Sequence, residues 1–213
     1  MQILITGNAS SDESTKTHEK TEVLHYHIAH ITAKGGNKNA LKRFNQYYNR
    51  VETKYQKYIH TVLYPHACQT LKNSLDQFQR FHPFKAKLSY QITENSDDFL
   101  SVLAEITETT DLGRRYTRYC CVWNPQTGYP LALRDILGKH WRKSLRNTAF
   151  EEATHRESLH SIQYYNNFYH NFFHIFHPDH FYIQNGQIII FFPPATIAPE
   201  SDGTQEFFYR FSK

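Results

Sequence analysis

Apolar and polar residues alternate from Thr21 to Thr32, which is typical of a β-strand with two fairly apolar faces. The preceding residues are polar and show no period, so residues 1–20 are expected to form a disordered leader outside the core. Gly35-Gly36-Asn37 ends the strand, and Asn37 is suited to cap a helix that starts a few residues later. The pattern therefore predicts that the folded domain begins at residue 21.

A long amphipathic helix is predicted from Ala40 to Arg80, where apolar residues recur at intervals of three and four. Pro65 removes a backbone donor within this pattern, so we expect a kink or short break near Tyr64. His82-Pro83 is expected to end the helix. The predicted buried stripe includes Leu41, Phe44, Tyr47, Tyr48, Val51, Tyr55, Ile59, Leu63, Leu71 and Leu75.

The rest of the chain combines strands with shorter helices. Alternation and turn residues predict strands at 87–93, 99–109, 114–123, 129–133 and 205–211, and spacing by three and four predicts helices at 141–159 and 164–176. Asn185-Gly186 between two apolar runs predicts a hairpin over 181–192. We therefore expect an α+β fold in which a mostly antiparallel sheet, including this hairpin, packs against one long kinked helix and one or two shorter helices. Residues 21–213 are expected to form a single domain.

Composition supports a globular protein without disulfides. Hydrophobic residues make up 39% of the 213 residues, with 16 Phe and 15 Tyr, and such a chain can bury a sizeable core. Cys68, Cys120 and Cys121 are an odd number of thiols, and the adjacent pair lies in an apolar run that favours burial over nucleophilic reactivity. No apolar run is long enough to span a membrane and no signal peptide is evident, so a cytoplasmic location is expected.

Three segments carry a resemblance to a known family. They are the Asn45-x-Tyr47-Tyr48 helix, the run Trp123-Asn-Pro-Gln-Thr-Gly-Tyr-Pro-Leu-Ala-Leu-Arg-Asp-Ile-Leu137, and the ending Phe181-Tyr-Ile-Gln-Asn-Gly-Gln-Ile-Ile-Ile-Phe-Phe-Pro-Pro-Ala-Thr-Ile-Ala-Pro199. In this order they resemble the RsiV-type domain-of-unknown-function family, over roughly Val23 to Phe211. The domain of that family resembles the extracellular part of the anti-sigma factor RsiV and the non-catalytic region of the peptidoglycan deacetylase PdaC.

The resemblance implies a bacterial binding module and supplies no catalytic residues. Neither the membrane helix nor the cytoplasmic sigma-binding segment of RsiV is evident in this sequence. The stretch Thr110–Tyr116 also departs from the Gly-Gly-Ala-His-like turn of better-known members, so different ligand contacts are expected there. What the resemblance implies is binding of a partner rather than catalysis.

Charge is concentrated in the predicted long helix and its flanks. Lys34 to Lys87 contains eleven Lys or Arg and two acidic residues, Glu52 and Asp76, a local net charge of 11 − 2 = +9. The helix could present these cations to an acidic protein, an acidic polymer or nucleic acid, and the alternative is a solvated face opposite the aromatic stripe. The candidate binding residues are Lys42, Arg43, Arg50 and Lys54, flanked by Lys38 and Lys57.

A second basic group precedes the Trp123 run. Arg114, Arg115 and Arg118 alternate with Tyr116 and Tyr119, a composition that suits a stacking surface for nucleic acid and equally an edge strand. We include Arg114 and Arg115 among the candidate binding residues.

Histidines supply the remaining candidate chemistry. His170, His174 and His177 would share one face of a helix, where their ring nitrogens could hold a metal for a hydrolase. The alternative is a half-exposed rim of an aromatic helix, ended by Pro178. Glu152 and His155 lie three residues apart and lack the second histidine of zinc-hydrolase helices.

These observations predict a non-catalytic module that binds a protein or an acidic ligand and needs no cofactor or metal. One alternative is a metal-dependent hydrolase that uses His170, His174 and His177. Another is nucleic-acid binding through the basic helix 38–57, although nucleic acid is a less expected partner than a protein or an acidic ligand.

Overall fold

The computed structural model describes residues 4–159, 161–165 and 168–210, and for residues 4–10 it describes the backbone alone. Eight strands and five α-helices confirm the α+β class. The strands are β1 (Leu4–His18), β2 (Thr21–Lys34), β3 (Phe84–Asn95), β4 (Leu100–Thr110), β5 (Gly113–Trp123), β6 (Phe181–Gln184), β7 (Gln187–Phe192) and β8 (Gln205–Arg210). The helices are α1 (Lys38–Tyr58), α2 (Tyr64–Asp76), α3 (Leu133–Leu137), α4 (Trp141–Ser158) and α5 (Phe168–Ile175).

The segment expected to be a disordered leader instead contains β1, which pairs antiparallel with β2 from Leu4 opposite Lys34 to His18 opposite Thr21. Backbone hydrogen bonds stabilise this pairing whatever the side chains are, and β1 lies at an edge of the sheet, where polar side chains remain solvated. An absence of apolar periodicity is therefore compatible with an edge strand.

One sheet has the strand order β1-β2-β3-β4-β5, and the pairing of β2 with β3 is parallel, with Leu24 opposite Phe84 and Ile28 opposite Leu88. Between these two strands the chain passes through α1 and α2. Parallel neighbours require such a long crossover, whereas a short turn makes them antiparallel. The alternation along the chain predicts antiparallel hairpins and carries no sign of this crossover.

The long helix forms and is interrupted just before Pro65, as predicted. Tyr47 and Leu75 of the predicted buried stripe are exposed instead, because they lie at the edges of the buried face. A π-helical turn over Ile59–Leu63 separates α1 from α2, and the Tyr64 amide donates to the carbonyl of Ile59. This wider turn adjusts the backbone immediately before the proline, whose ring would clash with the carbonyl four residues earlier in a regular helix. The helix ends at Asp76 rather than Arg80, because Phe78 adopts a left-handed conformation (φ 55°) and the Gln79 amide bonds to the Ser74 carbonyl.

The Asn185-Gly186 hairpin also forms as predicted, with positive φ at both turn residues. It belongs to a second sheet of order β6-β7-β8, so the expectation that it joins the sheet covered by the long helix is wrong. Its apolar residues pack with α4 and α5 instead. This core contains Leu145, Ala149, Phe168, Phe172, Ile183, Ile188, Ile190 and Phe207.

The strand predicted at 129–133 is reduced to one bridge between Trp123 and Pro130, followed directly by α3. Pro130 has no N–H to extend a ladder, which explains why pairing stops there. The predicted helix at 164–176 is confirmed for Phe168–Ile175. Phe211, expected in the last strand, lies outside the described residues.

Backbone contacts divide the chain into two compact units, while the single-domain organisation stays a prediction. Unit 1 comprises residues up to 91, 104–118 and 126–128, and unit 2 comprises 92–103, 119–125 and the residues from 129 onward. In the described part of the chain, none of the helices has the length and apolar character needed to cross a bilayer.

Candidate functional site

The orientation of α1 is set by an aromatic face within unit 1. Phe44, Tyr48 and Tyr55 are buried, and the Tyr48 ring packs edge-on against Tyr90 of β3 with centroids 5.4 Å apart. Burial of aromatic side chains is a large apolar contribution that fixes the rotation of a helix. The opposite side of α1 must therefore face solvent.

Asn45 fastens the same helix to the end of β2. Its side-chain oxygen accepts from the Ala33 amide at 2.8 Å, and its side-chain nitrogen donates to the Ala33 carbonyl at 3.1 Å. This double hydrogen bond explains the asparagine of the Asn45-x-Tyr47-Tyr48 motif in structural terms. Sequence reasoning cannot assign such a role because Ala33 contributes only its backbone.

Glu52, the one acidic residue of α1, points inward. One carboxylate oxygen accepts from Nδ1 of His30 at 2.8 Å and the other accepts from the Ile31 amide at 3.2 Å. The second ring nitrogen of His30 lies 3.4 Å from the Asp12 carboxylate. The hydrogen bond with Glu52, supported by Asp12, raises the pKa of His30 above its ordinary value. Glu52 therefore balances His30 and leaves the solvent side of α1 without a negative charge.

The exposed side of α1, here called the basic face, carries the cations that the sequence analysis selects. It consists of Lys38, Lys42, Arg43, Arg50, Lys54 and Lys57, all exposed. At a rise of 1.5 Å per residue the face is about 28 Å long. Within the described residues, no carboxylate lies in ion-pair distance of Lys42, Arg50 or Lys54. The positive charge of the face is thus available to an external anion.

Arg43 differs from the other members of the basic face because it holds a loop. Its guanidinium donates to the carbonyl of Thr127 at 2.7 Å. The adjacent Gly128 approaches the backbone of Ala40, and a Cβ at this position would lie 2.4 Å from the Ala40 Cα. The start of α1 and the loop 126–128 are therefore packed together in unit 1.

The arginines of β5 are placed differently from the free stacking surface considered in the sequence analysis. Arg115 forms a 2.9 Å ion pair with the buried Glu108, which also accepts from the Tyr55 hydroxyl at 3.3 Å. Arg118 pairs with Glu105 at 3.1 Å. Arg114 is exposed. Because carboxylates neutralise two of the three guanidinium groups, this strand is a weaker anion site than α1.

The three candidate metal histidines are not brought together. His170 and His174 are exposed on α5, which ends at Ile175, so His177 lies beyond the helix. No cluster of three or more His, Cys, Asp or Glu side chains suited to a metal occurs among the described residues. His180 stacks on Phe191 at 4.8 Å, and its burial lowers its pKa.

Glu152 has a structural role. It pairs with Arg156 and accepts the Phe208 amide of β8 at 3.0 Å, while Arg156 donates to the Glu206 carbonyl at 2.6 Å and to the Tyr164 hydroxyl at 3.3 Å. This network ties α4 to β8 within unit 2. The spacing from Glu152 to His155 is therefore not a sign of catalytic chemistry.

Cys120 and Cys121 lie at the end of β5 in unit 2. Cys120 contacts the small cluster of Tyr182, Ile189 and Phe191. Burial, with a smaller contribution from Asp179, raises the pKa of Cys121 to about 12. A thiol in this environment stays protonated at neutral pH.

The C-terminal part of the chain is similar to a known protein family. Residues 123–212, which are 90 of the 213 residues, match the family model of DUF3298, described as a protein of unknown function. No curated protein matches the chain.

Two solved structures share the fold. A DUF3298 family member from Bacteroides fragilis superimposes with a TM-score of 0.67 and 11% identity, covering 96% of this chain and 91% of the other. A DUF3298 family protein from Pseudomonas aeruginosa gives a TM-score of 0.61 and 11% identity, with 98% and 90% of the two chains covered. At this identity the likeness shows the fold alone.

Proposed function

We propose that this protein is a non-catalytic binding module of the RsiV-like type that captures an acidic partner through the basic face of α1. The observation that carries the proposal is the separation of charge on this helix. Lys42, Arg50 and Lys54 face solvent, whereas the helix's one carboxylate, Glu52, is turned inward onto His30.

A solvated face of an ordinary helix usually mixes both signs of charge, and oppositely charged side chains three or four residues apart support one another. Among the described residues, Lys42, Arg50 and Lys54 have no such carboxylate partner. Arg50 and Lys54, four residues apart, therefore repel each other until an anion neutralises them. The sign and length of the face suit an extended acidic chain, whose approach would be accelerated by long-range attraction.

The chemistry of the remaining candidates supports binding over catalysis. His170, His174 and His177 do not form a ligand set, and the Cys121 thiol has a raised pKa of about 12. Nucleic-acid binding through the β5 arginines is less favoured because Arg115 and Arg118 are engaged by Glu108 and Glu105. For the basic face of α1, the comparison of single-stranded DNA with poly-L-glutamate distinguishes the two partner classes.

The test measures the binding of poly-L-glutamate to the purified chain and to the reversal variant Lys42→Glu/Arg50→Glu/Lys54→Glu. Arg43 is left intact because its contact with Thr127 is structural. The matched control is Lys72→Glu/Lys85→Glu/Lys87→Glu, three exposed cations elsewhere in unit 1 with the same total charge change.

We expect the reversal variant to lose more than about tenfold in affinity, and the control to change by less than about threefold. Wild-type binding should weaken steeply as salt is raised, because exposed charges are screened within about 8 Å at physiological ionic strength. Equal losses in the two variants, salt-independent binding, or a marked preference for single-stranded DNA over poly-L-glutamate would contradict the proposal.

A further inference from the structure

Two arginines of α4 interlock with two aromatic residues of α5 in unit 2. Arg142 and Arg146 are one helical turn apart, as are Tyr169 and Phe173. The Cζ atoms of both arginines lie 5.8 Å from the Phe173 ring centroid, and that of Arg146 lies 5.5 Å from the Tyr169 centroid. Arg142 also lies 5.3 Å from the ring of Trp141. We call Arg142, Arg146, Tyr169 and Phe173 the guanidinium ladder.

The two positive charges lie beside the same Phe173 ring and one turn apart on α4. Like charges four residues apart on a helix repel each other, and contact with ring faces offsets only part of this repulsion. An anion between or beside them would remove it.

The described residues provide no such anion. No carboxylate among them lies within ion-pair distance of Arg142 or Arg146. The sequence itself contains no Asp or Glu from 136 to 150 or from 163 to 178. Nε of Arg146 is buried and has no hydrogen-bond partner within the described part of the chain. A buried donor without an acceptor is uncommon and calls for an explanation.

Ring contacts make these guanidinium groups suitable receptors. An arginine held by aromatic rings loses little further freedom when it binds, and its planar N–H groups match the oxygens of a phosphate or carboxylate. Arg156 provides the contrast within the same helix: its guanidinium lies 5.1 Å from the Phe207 ring centroid and already pairs with Glu152. The guanidinium ladder has the same pairing of cation and ring, but no carboxylate partner among the described residues.

We infer that the guanidinium ladder is a binding site for a phosphate-class oxyanion, a phosphate dianion or a phosphomonoester. Two adjacent guanidinium groups match the double negative charge of phosphate better than the single charge of a carboxylate. The rings are already covered by arginine, so the ligand is recognised through its oxyanion rather than by stacking of an aromatic base. The site lies within the segment that matches the DUF3298 family model and shares no residue with the basic face of α1.

The experiment titrates the full chain with inorganic phosphate, phenyl phosphate and acetate at constant ionic strength, following tryptophan fluorescence, since Trp141 contacts Arg142. The variants are Arg142→Lys and Arg142→Lys/Arg146→Lys, which keep the charge and remove the planar fork. Lys143→Gln is the matched control, because this exposed residue of α4 removes a neighbouring charge and leaves the ladder unchanged.

We expect saturable binding of phosphate or phenyl phosphate that weakens by about tenfold or more in the double variant and by less than about threefold in Lys143→Gln. Because Arg142 is exposed, the single variant Arg142→Lys should fold even if the double variant does not. Arg142→Lys alone should also weaken phosphate binding. Tighter binding of phenyl phosphate than of phosphate identifies an organic phosphomonoester, and the reverse identifies the free ion.

Absence of saturable phosphate binding, stronger binding of acetate, or an equal loss in Lys143→Gln would overturn the inference. The variant Lys42→Glu/Arg50→Glu/Lys54→Glu should retain the phosphate response in full. If this α1 variant loses the phosphate response, phosphate binds through the overall charge of the protein and not at the guanidinium ladder. This conclusion does not depend on the result of the poly-L-glutamate test.

Discussion

Gly128 lies against the backbone of Ala40, so close that a Cβ on the glycine would be 2.4 Å from the Ala40 Cα and 2.7 Å from its carbonyl oxygen. The contact joins the turn after Trp123 to the first turn of α1 within unit 1. Gly128 also has a φ of 68°, in the left-handed region that disfavours side chains. Space and conformation therefore both require glycine here.

Gly128→Ala should destabilise the protein by about 2 to 4 kcal/mol, because a left-handed alanine and a clash with main-chain atoms add their costs. Gly186→Ala is the matched control, since Gly186 has a φ of 69° and open space where a Cβ would lie. We expect the control to cost about 1 to 2 kcal/mol. Urea unfolding followed by circular dichroism measures both, and equal losses would show that the contact with Ala40 adds nothing.

His30 should make stability depend on pH. The pKa of His30 is raised in the folded state by Glu52 and Asp12. Its stabilising contribution is therefore fully present below the unfolded histidine pKa of about 6.5 and is lost as the pH rises through the higher folded value. The difference in free energy of unfolding between wild type and His30→Asn should shrink from pH 5 to pH 9. A constant difference, or the same trend for the control His27→Asn, would contradict this assignment.

The Glu152 network should contribute more to stability than its surface position suggests. Removing this carboxylate leaves the Phe208 amide without the side-chain acceptor Glu152 and the Arg156 guanidinium without its ion-pair partner. Glu152→Ala should cost about 2 kcal/mol. The neighbouring exposed Glu151→Ala should stay within about 0.5 kcal/mol. Thermal and urea unfolding of the two variants compare them directly, and a neutral Glu152→Ala would refute the structural role.

Cys121 should resist alkylation in the folded protein. With a pKa raised to about 12, its thiolate population at pH 8 is very small, and the side chain is only partly exposed. Maleimide labelling followed by peptide mass spectrometry should leave Cys121 unmodified in buffer and modify it in denaturant. Rapid labelling of the folded chain would show that the thiol is reactive.

The sequence predicts those helices and turns whose pattern lies within a few neighbouring residues. The spacing of three and four along α1 and α2, the break before Pro65 and the Asn185-Gly186 turn depend on residues within a few positions of one another. β1 was missed because a polar edge strand carries no hydrophobic period. The parallel pairing of β2 with β3 was missed because alternation specifies a strand and not its neighbour.

The sequence predicts which cations form the basic face of α1, but it does not predict which charges remain unpaired there. The cations of α1 and their exposed side follow from the sequence, because the aromatic stripe fixes which face is buried. The sequence counts Glu52 as an acidic residue of the same helix. Only the structure shows that it is turned onto His30, 22 positions away in the chain.

The sequence by itself therefore determined the helices, most strands, the turn chemistry and the basic character of α1, since each depends on periodicity or on the backbone preferences of single residues. The tertiary structure decided which charges remain available: Arg115 is neutralised by Glu108 and Arg156 by Glu152, whereas Arg142 and Arg146 meet aromatic rings. It also decided that Gly128 must be glycine. These outcomes depend on which distant segments meet, because pairing and close packing join side chains and backbone whose contacts leave no pattern along the chain.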